Sequence, residues 1–294
     1  MNKPFGSLTF GVEGMERLTA YYPGRGFPAV SISGHSCMLN CDHCRGEHLK
    51  GMAAATPSSF TENVPLDAQG VLLSGGCDRF GRLDMSGCLE DIKELSAQGK
   101  RVAVHTVLPS AEESKALAES GVECICLDLH GDPSVIRNIL HLDASPDDYE
   151  RALIAARDSG ARVFPHVTVG FSPSDWRYSL EMLARNQVRE FAILGLVSTP
   201  GTPLEGREAS VEEMVEAFRT ALDMKLRPSL GCMRPRSHRS LERKLLEMGV
   251  REFASPSRNT LREAEAMGLQ LVEEGLCCCL NRRWPRSASD SAWE

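Results

Sequence analysis

The sequence shows no stretch that reads as a signal peptide or as a membrane-spanning helix. Its first residues, "MNKPFGSLTFGVEGMERL", hold no apolar core and no small-residue cleavage site, which argues against a signal peptide and for a cytoplasmic location. No apolar run approaches the roughly 20 residues that cross a bilayer as a helix. Surplus positive charge is missing too: 33 Lys and Arg stand against 40 Asp and Glu, a net charge of −7. A general nucleic-acid binder needs a basic face for the phosphates, so that class is set aside. The pattern also lacks a disulfide framework. Eleven cysteines make an odd, irregularly spaced set, and a reducing cytosol would not keep bridges oxidised. Metal ligation accounts better for at least some of them. No linker is long enough to divide the chain, and there is no internal repeat.

What is present is an alternation of short β-branched runs with longer amphipathic stretches. Candidate strands cover 29–33, 70–75, 101–107, 123–129, 161–169, 190–196, 226–231 and 251–255. Stretches such as "CLEDIKELSAQGK" and "YERALIAARDSG" lie between them, and several stop at a glycine before the next strand, as helix caps do. Strands with little polar alternation suit a parallel sheet covered on both faces. Eight β-then-α units in about 230 residues predict an α/β fold of the (β/α)8 TIM-barrel type. A doubly wound open sheet is the alternative. The expected division is an N-terminal extension over 1–28, a barrel over 29–276 and a Cys-containing tail over 277–294. The end of that tail, "NRRWPRSASDSAWE", has no apolar period and reads as mobile.

The first candidate strand runs into "GHSCMLNCDHCRG" (34–46), which puts Cys37, Cys41 and Cys44 into eight positions. In a barrel this loop falls at the C-terminal mouth, where such folds place their active sites. Structural zinc wants four closed ligands, and His35, His43 or His48 can supply a fourth beside three thiolates. An iron–sulfur cube is the sharper reading: three thiolates hold three irons of a [4Fe–4S] cluster and leave the fourth iron open to a chelating substrate.

The stretch "CMLNCDHC" resembles the signature of the radical S-adenosylmethionine superfamily. That resemblance implies the radical SAM barrel, a [4Fe–4S] cluster and S-adenosyl-L-methionine as cofactors, and cleavage of the sulfonium to a radical that removes hydrogen from an unactivated carbon. It makes Cys37, Cys41 and Cys44 the cluster ligands and sets His43 against the adenine. "LLSGGC" (72–77) resembles the family's Gly-Gly-Glu turn, so Gly75 and Gly76 would receive the methionine amine, although Cys77 stands where the acid is usual. "CLDLHGDPSVIRNIL" (126–140) resembles a segment of biotin synthase. By that likeness Asp128 contacts the ribose or methionine end of the cofactor, and His130 projects to the same mouth as a second catalytic group. A buried Asp at a strand end can equally cap the next turn. "FPHVTVG" (164–170) falls where the family keeps its adenine-binding backbone, with His166 and Gly170 at its edges; His166 can equally be a satisfied core histidine. "STPGTPLE" (198–205) resembles the rigid Pro-Gly-Thr-Pro loop of the biotin synthase group.

A second metal site is the next expectation. Cys232 lies where biotin synthase keeps an arginine ligand to its second cluster, and a folded-back tail would bring Cys277, Cys278 and Cys279 to it as an auxiliary iron–sulfur site. Cys124 and Cys126 point the same way by strand period, so a barrel interior holding both is open as well. A sacrificial second cluster would supply sulfur, as in biotin and lipoyl synthases. "YYPGRGFPAVSISGHSCMLNCDHCRGEHLKGM" and "LGCMRPR" resemble the two-component lipoyl synthases, transferases that insert sulfur into protein-bound octanoyl groups. No cysteine precedes Cys37, which departs from the single-chain lipoyl synthase. The partners implied are an octanoylated lipoyl-carrier protein, a second radical SAM synthase, and an electron donor such as ferredoxin or flavodoxin. The basic run "RPRSHRSLERK" (234–244) would dock an acidic carrier by electrostatic steering, or is a solvated helix face with pairs such as Glu242 near His238. A radical mutase or methyltransferase without sulfur donation, and a zinc-stabilised binding module, are the other functional readings.

Overall fold

The computed structural model describes residues 16–280. The expected extension up to residue 15 and the tail beyond residue 280 lie outside the described residues. In chain order the elements are β1 (Arg17–Tyr21), β2 (Ala29–Ser31), β3 (Ala53–Ala54), β4 (Gly70–Ser74), α1 (Leu89–Ala97) and β5 (Arg101–Thr106). There follow α2 (Ala111–Glu119), β6 (Cys124–Leu129), α3 (Pro146–Asp158), β7 (Arg162–Val169), α4 (Pro173–Arg185) and β8 (Glu190–Gly195). The last six are α5 (Val211–Asp223), β9 (Arg227–Leu230), α6 (Arg239–Glu247), β10 (Glu252–Ala254), α7 (Arg258–Ala266) and β11 (Gln270–Glu274).

All eleven strands form one sheet in the order β11-β1-β10-β9-β8-β7-β6-β5-β4-β2-β3, and each pairing is parallel. Parallel neighbours need crossovers, and from β4 to β11 most are helical; that is the barrel expected from the sequence, written as a curled sheet whose edges are β11 and β3 among the described residues. The eight expected strands are all present within one or two residues of their bounds. β1, which falls inside the expected 1–28 extension, pairs with both β10 and β11.

Strand alternation splits the apolar residues into two populations. Ile125, Leu127 and Val167 belong to the large cluster shared with the helices. Ala103, Cys124, Cys126, Phe164 and Ala192 belong to a separate cluster inside the curl. The helices bury one stripe each: α5 sets Met214, Ala217, Phe218 and Ala221 against the sheet, a spacing of three and four that keeps one face apolar. Burying a side chain of Met or Phe size contributes about 1.5–3 kcal/mol.

Serine starts five of these helices. Ser110, Ser145, Ser172, Ser210 and Ser257 precede α2, α3, α4, α5 and α7, and Glu113, Asp148 and Glu213 complete capping boxes. Each satisfies amide groups that a helix start leaves unpaired, for about 1 kcal/mol per cap. Three of these capped starts follow strand-to-helix turns of three or four residues, after β5, β7 and β10, while the longer connections after β4, β6 and β8 lie at the same C-terminal edge of the sheet, which carries the site.

Candidate functional site

The cysteine loop leaves the end of β2 and is held from three directions. From β4, the amide of Gly76 donates to Ser33 Oγ at 2.7 Å and that of Met38 to the Cys77 carbonyl at 2.8 Å. From the π-helical turn Val135–Ile139 that follows β6, the Ile139 carbonyl accepts from the Asp42 amide at 2.9 Å, and His141 Nε2 lies 2.8 Å from Asp42 Oδ1. From the "STPGTPLE" loop, the amides of Thr199 and Leu204 donate to the carbonyls of His43 and Asp42 at 2.9 and 3.1 Å. The proline-rich turn therefore braces the cysteines directly.

Gly76 shows how close this packing is. A Cβ there would stand 2.0 Å from the Ser36 carbonyl oxygen and 2.5 Å from Cys37 Cβ, so no larger residue fits without moving the loop. Gly170 is a different case: its φ of +112° closes the turn after β7, and a Cβ would meet Leu196 Cβ at 2.8 Å. Glycine is needed there for both conformation and space.

Within the loop, one ligand atom each from Cys41, His43 and Cys44 lie within 4.8 Å of one another. Cys37, half-buried, lies outside that group but is close enough to raise the Cys41 and Cys77 thiols through its charge. Cys41, whose sulfur donates to the Leu140 carbonyl at 3.5 Å, and Cys44 shift in opposite directions. The Cys44 thiol is pulled down to about 4, chiefly by the hydrogen bond from Cys41, against burial and with help from His43. Cys41 is correspondingly pushed up. His43 Nδ1 is buried with no partner among the described residues, and its ring meets Phe171 edge-on at 5.2 Å. Three thiols and an orphaned imidazole nitrogen on one braced loop make a donor set that fits a metal centre, as an iron–sulfur cluster or as zinc.

Below this mouth, the inner faces of three neighbouring strands bring together His105 from β5, Asp128 from β6 and His166 from β7. Asp128 Oδ1 lies 3.4 Å from His105 Nε2 and 3.6 Å from His166 Nδ1, and the two rings stack with centroids 5.0 Å apart. Burial alone would raise the Asp128 carboxyl, but His105 and then His166 outweigh it and hold Asp128 well below the usual carboxylate range. For His105 burial acts downward, yet Asp128 raises it; for His166 burial dominates and lowers it. The cluster is thus an ionised carboxylate between an imidazole that favours its proton and one that does not. It can bind a cationic or hydroxyl-rich ligand and hold one proton.

His130 is turned elsewhere. β6 ends at Leu129, so the inward alternation stops there, and the buried His130 Nδ1 lies 2.9 Å from Asp175 Oδ2 on α4. Asp175 Oδ1 also accepts from the amides of Gly131 and Asp132 at 2.8 and 3.0 Å. The histidine expected at the mouth is a tie between β6 and α4.

The expected second grouping also differs. Cys232 is exposed, and Cys279 turns instead to Cys124 and Cys126, with the three sulfurs within 4.8 Å of one another. Cys278 is buried and Cys277 half-buried beside them. The reason is parity: Cys124 and Cys126 project into the curl, and the turn after β11 enters that same interior. The basic run at 234–244 is likewise not one exposed patch. Arg234 is buried and donates to the carbonyls of Gly231, Ala254 and Ser255 and to Glu242, so Glu242 pairs with Arg234 and not with His238. Sequence reasoning missed His105; it shares a face with Ala103 in "RVAVHTV", and only the fold shows that this face is the inner one.

Fold and site together define a parallel β/α barrel with a cysteine-rich loop at its C-terminal mouth. Among solved structures the chain is similar to methylornithine synthase (PylB), with a TM-score of 0.60 and 15% identity over 87% of this chain and 84% of that one. It is also similar to the FeFe-hydrogenase maturase HydG from Carboxydothermus hydrogenoformans, with a TM-score of 0.60, 13% identity and coverage of 91% and 70%. Streptococcus suis SuiB matches with a TM-score of 0.52 and 13% identity over 94% of this chain and 64% of that one. At these identities the likeness is one of fold. No protein-family model matches the chain, and no curated protein matches it. Among the described residues no helix is long and apolar enough to cross a membrane.

Proposed function

We propose that the chain is a radical S-adenosylmethionine enzyme whose cluster is held by Cys37, Cys41 and Cys44. One observation carries the reading: the C-x3-C-x2-C loop stands at the C-terminal mouth of a parallel barrel and is braced by three of the barrel's own turns. With S-adenosyl-L-methionine bound, such a cluster supplies one-electron chemistry able to break an unactivated C–H bond. The chain's part is to bind, orient and exclude water. Asp128, kept ionised between His105 and His166, offers a carboxylate to a cofactor's hydroxyls or positive charge. His43 presents a flat ring at the rim, and the apolar interior cluster keeps water from the barrel floor. Likeness in fold to PylB, HydG and SuiB supports the barrel half of this reading.

The finer activity is sulfur insertion into protein-bound octanoyl groups, with an octanoylated lipoyl-carrier protein as substrate, a second radical SAM synthase as co-worker, and ferredoxin or flavodoxin as electron donor. The "YYPGRGFPAVSISGHSCMLNCDHC" and "LGCMRPR" segments support it. Anaerobic reconstitution with iron and sulfide, followed by reductant, S-adenosyl-L-methionine and octanoylated carrier, tests both levels. Formation of 5′-deoxyadenosine that vanishes when Cys37, Cys41 and Cys44 become alanine supports the enzyme class; its persistence in that variant refutes it. Sulfur gained by the carrier supports the lipoyl reading. An unchanged carrier with nucleoside produced, even with candidate partner synthases added, leaves a radical enzyme without sulfur donation. A zinc-stabilised module is favoured by one observation, the closeness of His43 to Cys41 and Cys44; zinc in place of iron, with intact S-adenosyl-L-methionine, is its signature.

A further inference from the structure

We infer that Cys124, Cys126 and Cys279 form a second metal site, taking a thiophilic metal and fastening the turn after β11 into the barrel interior. The three residues come from chain segments more than 150 positions apart, yet their sulfurs all lie within 4.8 Å, with Cys124 and Cys126 at 4.0 Å. A tetrahedral ion with metal–sulfur bonds of about 2.3 Å sets its sulfurs about 3.8 Å apart, so the thiols already stand near coordination spacing. All three are at most 1% exposed.

Buried cysteine is commonly a small apolar filler. Two features separate this cluster from filler. The sulfurs converge from two segments on one point, where packing alone would be served by any small side chain. A cation also stands at the edge of the cluster: Arg162 Nη1 donates to the Cys279 carbonyl at 2.7 Å, and its Nη2 donates to Glu190 at 2.7 Å. Three thiolates in an apolar interior need such compensation, and each thiol releases its proton on binding metal. Leu276, Cys278 and Leu280 pack in the same interior cluster as Phe164 and Ala192, so a metal here joins the last described turn to β6. The half-buried Cys277, packed against the same interior cluster, is the candidate fourth ligand.

The ligand chemistry is thiolate coordination, met by iron with sulfide or by a single zinc ion. The site is independent of the 37–44 loop, and the inference stands whether or not that loop carries radical chemistry. The test is metal content of the full chain, purified anaerobically with Cys37, Cys41 and Cys44 all replaced by alanine. Metal should remain and should fall at least tenfold when Cys124→Ala and Cys126→Ala are added, while Cys232→Ala leaves it unchanged. Iron with equimolar sulfide identifies a cluster; zinc without sulfide identifies a single ion. A second measurement needs no interior substitution: in the unmutated chain, a chelator should speed alkylation of Cys279 at least tenfold by mass spectrometry. A triple variant free of metal, metal indifferent to Cys124 and Cys126 in a folded protein, or a chelator without effect on Cys279 overturns the inference.

Discussion

Replacing Gly76 by alanine tests the cysteine loop through geometry alone. The new Cβ would sit 2.0 Å from the Ser36 oxygen and 2.5 Å from Cys37 Cβ, where contacts under 3.0 Å are essentially never tolerated. Both obstacles belong to the loop backbone or the root of a side chain, so no flexible tip can swing aside. Relief requires a displacement of about 1 Å, either of the 75–77 turn or of Cys37. Overpacking of this kind costs about 1–3 kcal/mol, and at about 2–4 °C per kcal/mol for a chain approaching this size the melting temperature should fall by about 2–12 °C. The functional loss should be larger than the stability loss. A misplacement of about 1 Å in a reacting centre costs about 100-fold in rate, and Cys37 is the thiol moved. Metal content after anaerobic reconstitution, 5′-deoxyadenosine formation and thermal melting are measured side by side. Gly51→Ala is the control, because nothing lies within 4 Å of a Cβ there. A Gly76→Ala protein with full metal content and unchanged turnover would refute the claim that this glycine exists to admit the cysteine loop.

Asp128→Asn should keep the metal content of the 37–44 loop while weakening S-adenosyl-L-methionine or substrate binding about 10- to 100-fold, the worth of one charge-assisted hydrogen bond; equal binding by titration sinks the anchoring role. Asp175→Asn should lower stability by about 1–3 kcal/mol, with a pH signature. For His130 burial acts downward but Asp175 raises its pKa above the ordinary imidazole value of about 6.5, so its contribution is complete below that value and is lost as pH climbs through the raised one. The melting gap between wild type and variant should therefore be wider at pH 6 than at pH 9, and a gap that widens toward alkaline pH contradicts the pairing. Arg234→Ala should destabilise by about 3–5 kcal/mol by removing the counter-ion of the buried Glu242 and the guanidinium donor of the Gly231 and Ala254 carbonyls. If it instead weakens partner binding and leaves denaturant unfolding unchanged, the buried placement is wrong.

Much of the fold was legible because a parallel sheet buried on both faces writes near-continuous apolar runs, as in "ECICLDL" and "EFAILGL". β1 and β11 were not legible. "RLTAY" and "QLVEE" are five-residue stretches with only two or three apolar residues each, and their place is set by β1 pairing with both β10 and β11. The cysteine loop could be read from spacing, since ligands on one loop keep their neighbours in sequence. The grouping of Cys279 with Cys124 could not, because it depends on where a terminal turn enters a three-dimensional interior. His130 shows the limit of parity arguments: alternation extended two residues past Asp128 predicts an inward side chain, but the strand stops at Leu129. His105 failed for the opposite reason. Its parity was regular, yet alternation alone does not say which face of a strand is inside.

β6 links the two ends of the interior. Cys124, Cys126 and Asp128 share its inner face, and at about 3.3 Å per residue successive inward positions are separated by about 7 Å. At that separation, and with an effective dielectric near 20, two negative charges repel by about 2 kcal/mol. A thiolate at Cys126 and a carboxylate at Asp128 are therefore not independent, and each requires its own counter-charge. The barrel provides them from the strands on either side: Arg162 opens β7 beside Cys124, its register partner, and His105 on β5, the imidazole that Asp128 raises, lies 3.4 Å from that carboxylate. Two sites built on alternate residues of one strand, each with a cation on a strand beside it, can be charged together with their mutual repulsion offset. Removing Arg162 should therefore disturb the lower site first and reach Asp128 only through that repulsion.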